Sequence, residues 1–126
     1  MRRKLSIGAA GLAACGAFAM GGVAIAGGGP AATAVSIKVD GSDYHGFVAS
    51  TKPNKCADDR KIVLYKKLGA HQNPQNDEKI NTDRAEKQGD RYRWDTGNTG
   101  SNGKHYARAK KIEGCRADNS RTLKTE

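Results

Sequence analysis

The sequence predicts an all-β sandwich, and three observations carry that expectation. Tyr92 and Trp94 alternate with Arg91, Arg93 and Asp95, the period of two that a half-buried strand requires. Ile62, Val63, Leu64 and Tyr65 form a run rich in β-branched and aromatic residues that is apolar on both faces, which suits a central strand. Clusters of Gly, Asn, Asp and Pro separate such segments, and no helix of ordinary length is predicted beyond residue 26. The stretch Asp83 to Asp95 organises the rest. Gln88, Gly89 and Asp90 supply turn chemistry, and Trp94, the single tryptophan, reads as the core anchor of the strand that follows. The competing reading of Trp94 is an exposed ring that stacks on a ligand.

The chain has 126 residues, three cysteines and a net charge of +9, which bounds it to one small domain plus whatever is removed. Arg2, Arg3 and Lys4 precede an uncharged run from Leu5 to Ala26, the order of a secretory signal peptide. Cleavage is open after Ala26 or after Ala34, and the Gly27-Gly28-Gly29-Pro30 run favours the first. The uncharged run is long enough to span a bilayer, but its Ala and Gly content makes it a weak anchor. Leu12-Ala13-Ala14-Cys15 has the form of a bacterial lipobox, yet the apolar run continues beyond Cys15. The Arg2-Arg3 pair lacks the downstream residues of a twin-arginine signal.

Removal of residues 1–26 takes three basic residues and no acidic one, so the net charge falls from +9 to +6. It also takes Cys15 and leaves Cys56 and Cys115. In an oxidising compartment these are expected to pair. Such a bridge closes most of the domain and stabilises it by about 4 kcal/mol in the chain-entropy model.

Residues 27–34 read as a flexible linker, 35–116 as the sandwich and 117–126 as a polar tail that frays. Val35, Ile37 and Val39 alternate as a first strand that stops at Asp40-Gly41. Tyr44 to Ser50 forms the next, with Gly46 marking a close approach or a bulge. Thr51 to Lys55 is a turn. Arg60 to Leu68 is the strongest strand, with Ile62, Leu64 and Leu68 on one face. Gly69 to Glu78 is a surface loop, and Lys79 to Arg84 a short strand through Ile80 and Thr82. After Trp94 a Gly, Asn and Thr loop leads to a last strand, Lys104 to Ile112. Either Ala107 and Ala109 or Tyr106 and Arg108 face inward there. The core is expected to contain Ile62, Leu64, Tyr92 and Trp94.

Four pieces in order, Gly46-Phe47-Val48, Ile62-Val63-Leu64-Tyr65, Thr82-Asp83 running to Gly89-Asp90-Arg91-Tyr92-Arg93-Trp94, and Gly103-Lys104-His105-Tyr106-Ala107, resemble the carboxypeptidase regulatory-like, or prealbumin-like, domains. Collagen-adhesin B-type repeats are surface-protein relatives of these domains. The resemblance covers about Tyr44 to Ala109. It implies about seven strands in two antiparallel sheets, serving as a spacer, a stabilising module or a binding surface without an active site. Some adhesin repeats carry a Lys–Asn isopeptide cross-link. Lys38 lies in a suitable strand, but Lys104 to Ile112 contains no Asn and the cross-link is not carried over.

No nucleophile, metal cluster or phosphate loop is visible, so neither catalysis nor a cofactor is expected. His45, His71 and His105 lie in separate segments without metal spacing and read as surface residues. The enzymatic alternative is a small secreted basic ribonuclease-like hydrolase, for which Glu86, Arg91, Arg93 and His105 would supply base, clamp and acid. The remaining signal is charge. Arg91, Arg93, Arg108 and Lys110 are expected to share one surface if the last two strands pair, with Arg84, Lys104 and Lys111 near them. Its partner would be an acidic cell-wall polymer, a polysaccharide or nucleic acid. The plain alternative is a solvated edge that discourages aggregation. The expected protein is thus a secreted bacterial binding or structural module.

Overall fold

The Trp94 indole lies fully buried between two antiparallel sheets. The computed structural model describes residues 29–125, and the signal-sequence expectations lie outside them. Chain order gives β1 (Thr33–Val35), β2 (Lys38–Asp40), β3 (Asp43–Ser50), the single helical turn α1 (Pro53–Cys56) and β4 (Lys61–Lys66). Then come β5 (Glu78–Arg84), β6 (Glu86–Gln88), β7 (Arg91–Asn98), β8 (Gly103–Ala109), β9 (Asp118–Asn119) and β10 (Leu123–Thr125). The first sheet runs β1-β3-β7-β6 with β2 also on β3, and the second runs β10-β8-β4-β5 with β9 also on β8. The fold is therefore an all-β sandwich. Its ten strands are seven extended runs, three of them interrupted: β1 with β2, β5 with β6, and β9 with β10.

The interruptions have local causes. Between β1 and β2 the chain turns the Ser36 carbonyl inward to accept the Trp94 Nε1–H at 3.1 Å. The alternating run Val35 to Val39 is thus two short strands, both paired with β3. Gly46 makes room for this, since a Cβ there would lie 2.0 Å from the Ser36 oxygen. The close approach expected at Gly46 is present, and a register shift follows between Tyr44 and His45 in the pairing with β7. At Ala85 the chain leaves the second sheet and joins the first. Its N–H donates to the Arg60 carbonyl, and its own carbonyl accepts the Asp59 N–H.

The core is one cluster of inward-facing side chains: Tyr44 and Val48 from β3, Ile62 and Leu64 from β4, Tyr92 and Trp94 from β7, and Ala107 and Ala109 from β8, with Val35 and Ile37. The open choice on β8 is thereby decided, with the alanines inward. β4 lies between β5 and β8, which accounts for its two apolar faces. Its outer face is covered too. Val63, Tyr65 and Tyr106 form a second cluster in which the two tyrosine rings stack at 5.4 Å.

The loop after β4 closes over that face around the buried carboxylate of Asp77. Tyr106 donates to it at 2.6 Å, the Leu68 N–H at 3.0 Å and the Asn73 N–H at 2.7 Å. Burial opposes its charge, but these donors hold the Asp77 carboxyl below the usual carboxylate range. Leu68 does not continue the inner face of β4 and is 62% exposed.

Two boundaries differ from expectation. Of the linker residues, Ala31 is buried and exchanges backbone bonds with Gly114 and Arg116, while Thr33 and Ala34 pair with β3. Half of the polar tail belongs to the second sheet, because β9 and β10 both pair with β8. Short polar strands at a sheet edge bury only one partner's backbone and carry no hydrophobic alternation, so periodicity misses them.

Candidate functional site: a basic cleft at the disulfide end

Cys56 and Cys115 are joined, with their Cα atoms 5.6 Å apart. The bridge ties α1 to the segment after β8, and a buried arginine fixes both. The Arg60 side chain donates from Nη1 to Thr33 Oγ1 (3.2 Å) and the Cys56 carbonyl (2.8 Å), and from Nη2 to the carbonyls of Lys110 (2.7 Å) and Arg116 (2.9 Å). No carboxylate pairs with it among the described residues. Burial lowers the Arg60 pKa from its ordinary value, yet a guanidinium titrates so high that it stays charged.

Arg60 and Lys110 of this assembly line a cleft of about 510 Å³. Its lining includes Lys55, Arg60, Lys61, Arg84, Lys110 and Lys111. Two carboxylates, Asp58 and Asp59, also line it, and Arg84 Nη1 donates to the Asp59 carbonyl at 3.0 Å and lies 3.5 Å from the Asp59 carboxylate. Lys55, Lys61, Lys110 and Lys111 are exposed and form no ion pair among the described residues. The positions follow from the chain. Lys55 precedes Cys56 on α1, Lys61 opens β4, and Lys110 and Lys111 follow β8 just before the Ile112–Cys115 turn. Gly114 in that turn has φ +81°, and a Cβ there would meet the Lys55 ammonium at 2.5 Å. Four lysines lining one concave place make a positive potential that attracts and concentrates anions.

No protein-family model, curated protein or solved structure matches the chain. The site therefore stands on its own geometry.

The basic surface expected from the last two strands is not assembled. β7 and β8 lie in opposite sheets, so their outward residues face away from each other. Arg91 lies on the outer face of the first sheet, 4.1 Å from the Phe47 ring centroid. Arg93 is ion-paired there with Asp95 at 2.9 Å. Arg108 belongs to the other sheet and donates to Asn119 at 2.7 Å. Of the four residues only Lys110 lines the basic cleft, joined there by Arg84 and Lys111 from the wider basic set.

The ribonuclease-like constellation is also divided. Glu86 pairs in register with Arg93 across β6 and β7, and both line a second cleft with Asp83 and Asp95. His105 is fully buried instead of lying on the surface. Its Nδ1 is 3.0 Å from the Tyr44 hydroxyl and its Nε2 2.8 Å from Ser101 Oγ. Burial pushes the His105 pKa down, so the ring is a neutral, hydrogen-bonded core group. Neither His105 nor Ser101 lines the two clefts just described. Among the described residues, no group of three or more His, Cys, Asp or Glu is placed to hold a metal ion.

Sequence reasoning missed Lys55, Arg60 and Lys61. The signal was available. Basic residues flank both cysteines, as Lys55-Cys56 and as Lys110-Lys111 before Cys115-Arg116, and the expected bridge by itself brings the two flanks together.

Proposed function

We propose that this is a secreted bacterial, non-catalytic β-sandwich module whose basic cleft binds a polyanion of the cell envelope, an acidic cell-wall polymer or polysaccharide. The observation that carries the reading is the cleft itself, with four exposed lysines, unpaired among the described residues, gathered beside a disulfide-braced frame. The order of residues 1–26 supports secretion. Cleavage after Ala26 is preferred, because cleavage after Ala34 would remove Ala31 and Thr33, which bond Gly114, Arg116 and Arg60. The resemblance to carboxypeptidase regulatory-like domains supports a binding or spacer role, in which affinity comes from surface charge and the sandwich supplies rigidity.

The test is retention on immobilised heparin and on teichoic acid as salt rises. Each neutralised anion releases counterions, so four engaged lysines give a log–log salt slope of roughly −3. The variant Lys55→Gln/Lys61→Gln/Lys110→Gln/Lys111→Gln is compared with Lys38→Gln/Lys79→Gln/Lys87→Gln/Lys104→Gln, which has the same net charge and leaves the cleft intact. The cleft variant is expected to elute well before the control variant. Co-elution of the two would reduce the cleft to a contribution of net charge and overturn the reading.

A further inference from the structure

We infer that β10 is a latch that acid opens, with His105 as the group that senses the proton. This lies apart from the basic cleft and does not depend on the polyanion reading. Two observations carry it.

The first is how the His105 ring is enclosed. It is fully buried on β8, opposite Lys66 of β4 on one side and Leu123 of β10 on the other. Its Nδ1 lies 3.2 Å from the Gly103 carbonyl, which can only accept, so this nitrogen carries the hydrogen. The Tyr44 hydroxyl, 3.0 Å from the same nitrogen, gives its own hydrogen to the Ser101 carbonyl at 2.8 Å. Nε2 is then the bare nitrogen and accepts the Ser101 hydroxyl at 2.8 Å. Each hydrogen of this network is placed for a neutral ring. A second proton must go on Nε2, where it meets a hydroxyl that is already donating.

Nothing nearby offers that charge a partner. Among the described residues no carboxylate bonds either ring nitrogen. Lys66 runs beside Gly103, where a Cβ would meet its Cε at 3.2 Å, and its charge repels an imidazolium. Glu78, in register with Lys66 on β5, attracts one, and β3 presents only the Tyr44 hydroxyl. Lys104 and Lys124 pair in register with each other and are exposed. Burial is the largest of these effects, and the ring resists protonation while it stays covered.

The second observation is what covers it. β10 is three residues long, pairs with β8 alone and has no buried residue. Thr125 Oγ1 lies 3.0 Å from the Tyr44 hydroxyl and accepts the Gly103 N–H at 3.2 Å. The network that encloses the ring therefore also holds the end of the strand. A short edge strand with few apolar contacts opens at far lower cost than the whole sandwich. Once open, water reaches the ring, and it titrates near the ordinary histidine value of about 6.5. Below that pH the open form takes up a proton that the closed form refuses, so the open population rises by up to about tenfold for each unit that pH falls. The edge of β8 is then free to pair with another strand.

Hydrogen exchange followed by NMR at about pH 7.5 and about pH 5, on either side of the ordinary histidine value, tests the latch. Each amide rate is taken relative to that of an unstructured chain at the same pH. Protection at Leu123–Thr125 and Gly103–His105 is expected to fall by up to about thirtyfold at the lower pH. The β4 amides are expected to keep theirs, and Trp94 emission to stay that of a buried indole. In His105→Gln, which keeps a polar group and does not titrate, the β10 amides are expected to be equally protected at both pH values. Unchanged protection of β10 in the wild type would overturn the inference. Equal losses in β4 and β10 would also overturn it, making His105 a determinant of global stability with no latch. So would an acid-dependent loss that persists in His105→Gln. If that variant does not fold, the contrast between β10 and β4 in the wild type decides.

Discussion

At Gly46 the main chain of β3 passes beneath the Ser36 carbonyl at a distance that admits no side chain. A Cβ there would lie 2.0 Å from that oxygen and 2.9 Å from Trp94 Nε1, and both are partners in the one hydrogen bond of the buried indole. Alanine cannot be accommodated by a rotamer change, because the nearest atoms are backbone and a packed ring. The segment between β1 and β2 must move, and the indole N–H then loses its acceptor in the core. Gly46→Ala is expected to destabilise the domain by about 3 kcal/mol, at the upper end for overpacked core sites. Urea unfolding followed by Trp94 fluorescence measures it, and a loss under about 0.5 kcal/mol, the range of neutral surface changes, would contradict the assignment.

Where β3 pairs with β7, two carboxyl groups meet on the outer face of the first sheet. Asp43 lies above the usual carboxylate range, first because its hydrogen bond to Asp95 requires the proton, then through burial and the Asp95 charge. Burial opposes the charge on Asp95 as well. The Gly97 N–H, Arg93 and Asp43 nevertheless hold it below that range. As pH rises Asp95 is therefore the first of the two to ionise and Asp43 the second. A carboxyl whose folded pKa is raised stabilises the fold while protonated, so its contribution is lost as pH rises from 3.8 through the folded value. Asp43→Asn retains a donor toward Asp95 and does not titrate. It is expected to flatten this decline, so that the variant gains stability relative to the wild type as pH rises from about 4 to 7, around the carboxylate range. Parallel stability-against-pH curves would exclude the coupled pair.

Across the whole molecule, one end is fixed by chemistry that the sheets do not supply. Residues 29–32, α1 and the segment after β8 have little apolar surface, and the disulfide with Ala31 forms only a small separate cluster. Arg60 replaces a core there by bridging a hydroxyl and three carbonyls from different segments. Its charge costs desolvation without a counterion among the described residues, offset by oriented carbonyl dipoles. Lysine has a charge but neither the reach nor the planar fork to serve four acceptors. Arg60→Lys is therefore expected to cost about 3 kcal/mol through unmet buried acceptors. It is also expected to speed amide exchange at Ala31 and Arg116, which hydrogen exchange with mass spectrometry reads. Unchanged exchange in those residues would show that the disulfide alone fixes this end.

The sandwich, the Trp94 anchor and the Cys56–Cys115 pairing were determined by the sequence alone, because each rests on a local or countable signal. Alternation of two marks a strand with one buried face, a solitary tryptophan in such a strand goes inward, and the two cysteines beyond residue 26 have a single partner choice. Sheet membership is different. Arg91 and Arg93 on β7 and Arg108 on β8 look like neighbours in the chain, but the Gly- and Asn-rich loop between them carries the chain across to the other sheet. Nothing in the two strands' own periodicity records which sheet they join. The basic cleft depends on that long-range choice together with the disulfide, since its lysines come from segments that only the folded chain brings together. The buried place of His105 has the same origin: a polar residue faces inward where Tyr44 and Ser101, from other segments, satisfy both ring nitrogens. Burial of a polar group becomes tolerable only when its partners arrive, and their arrival is a property of the tertiary structure.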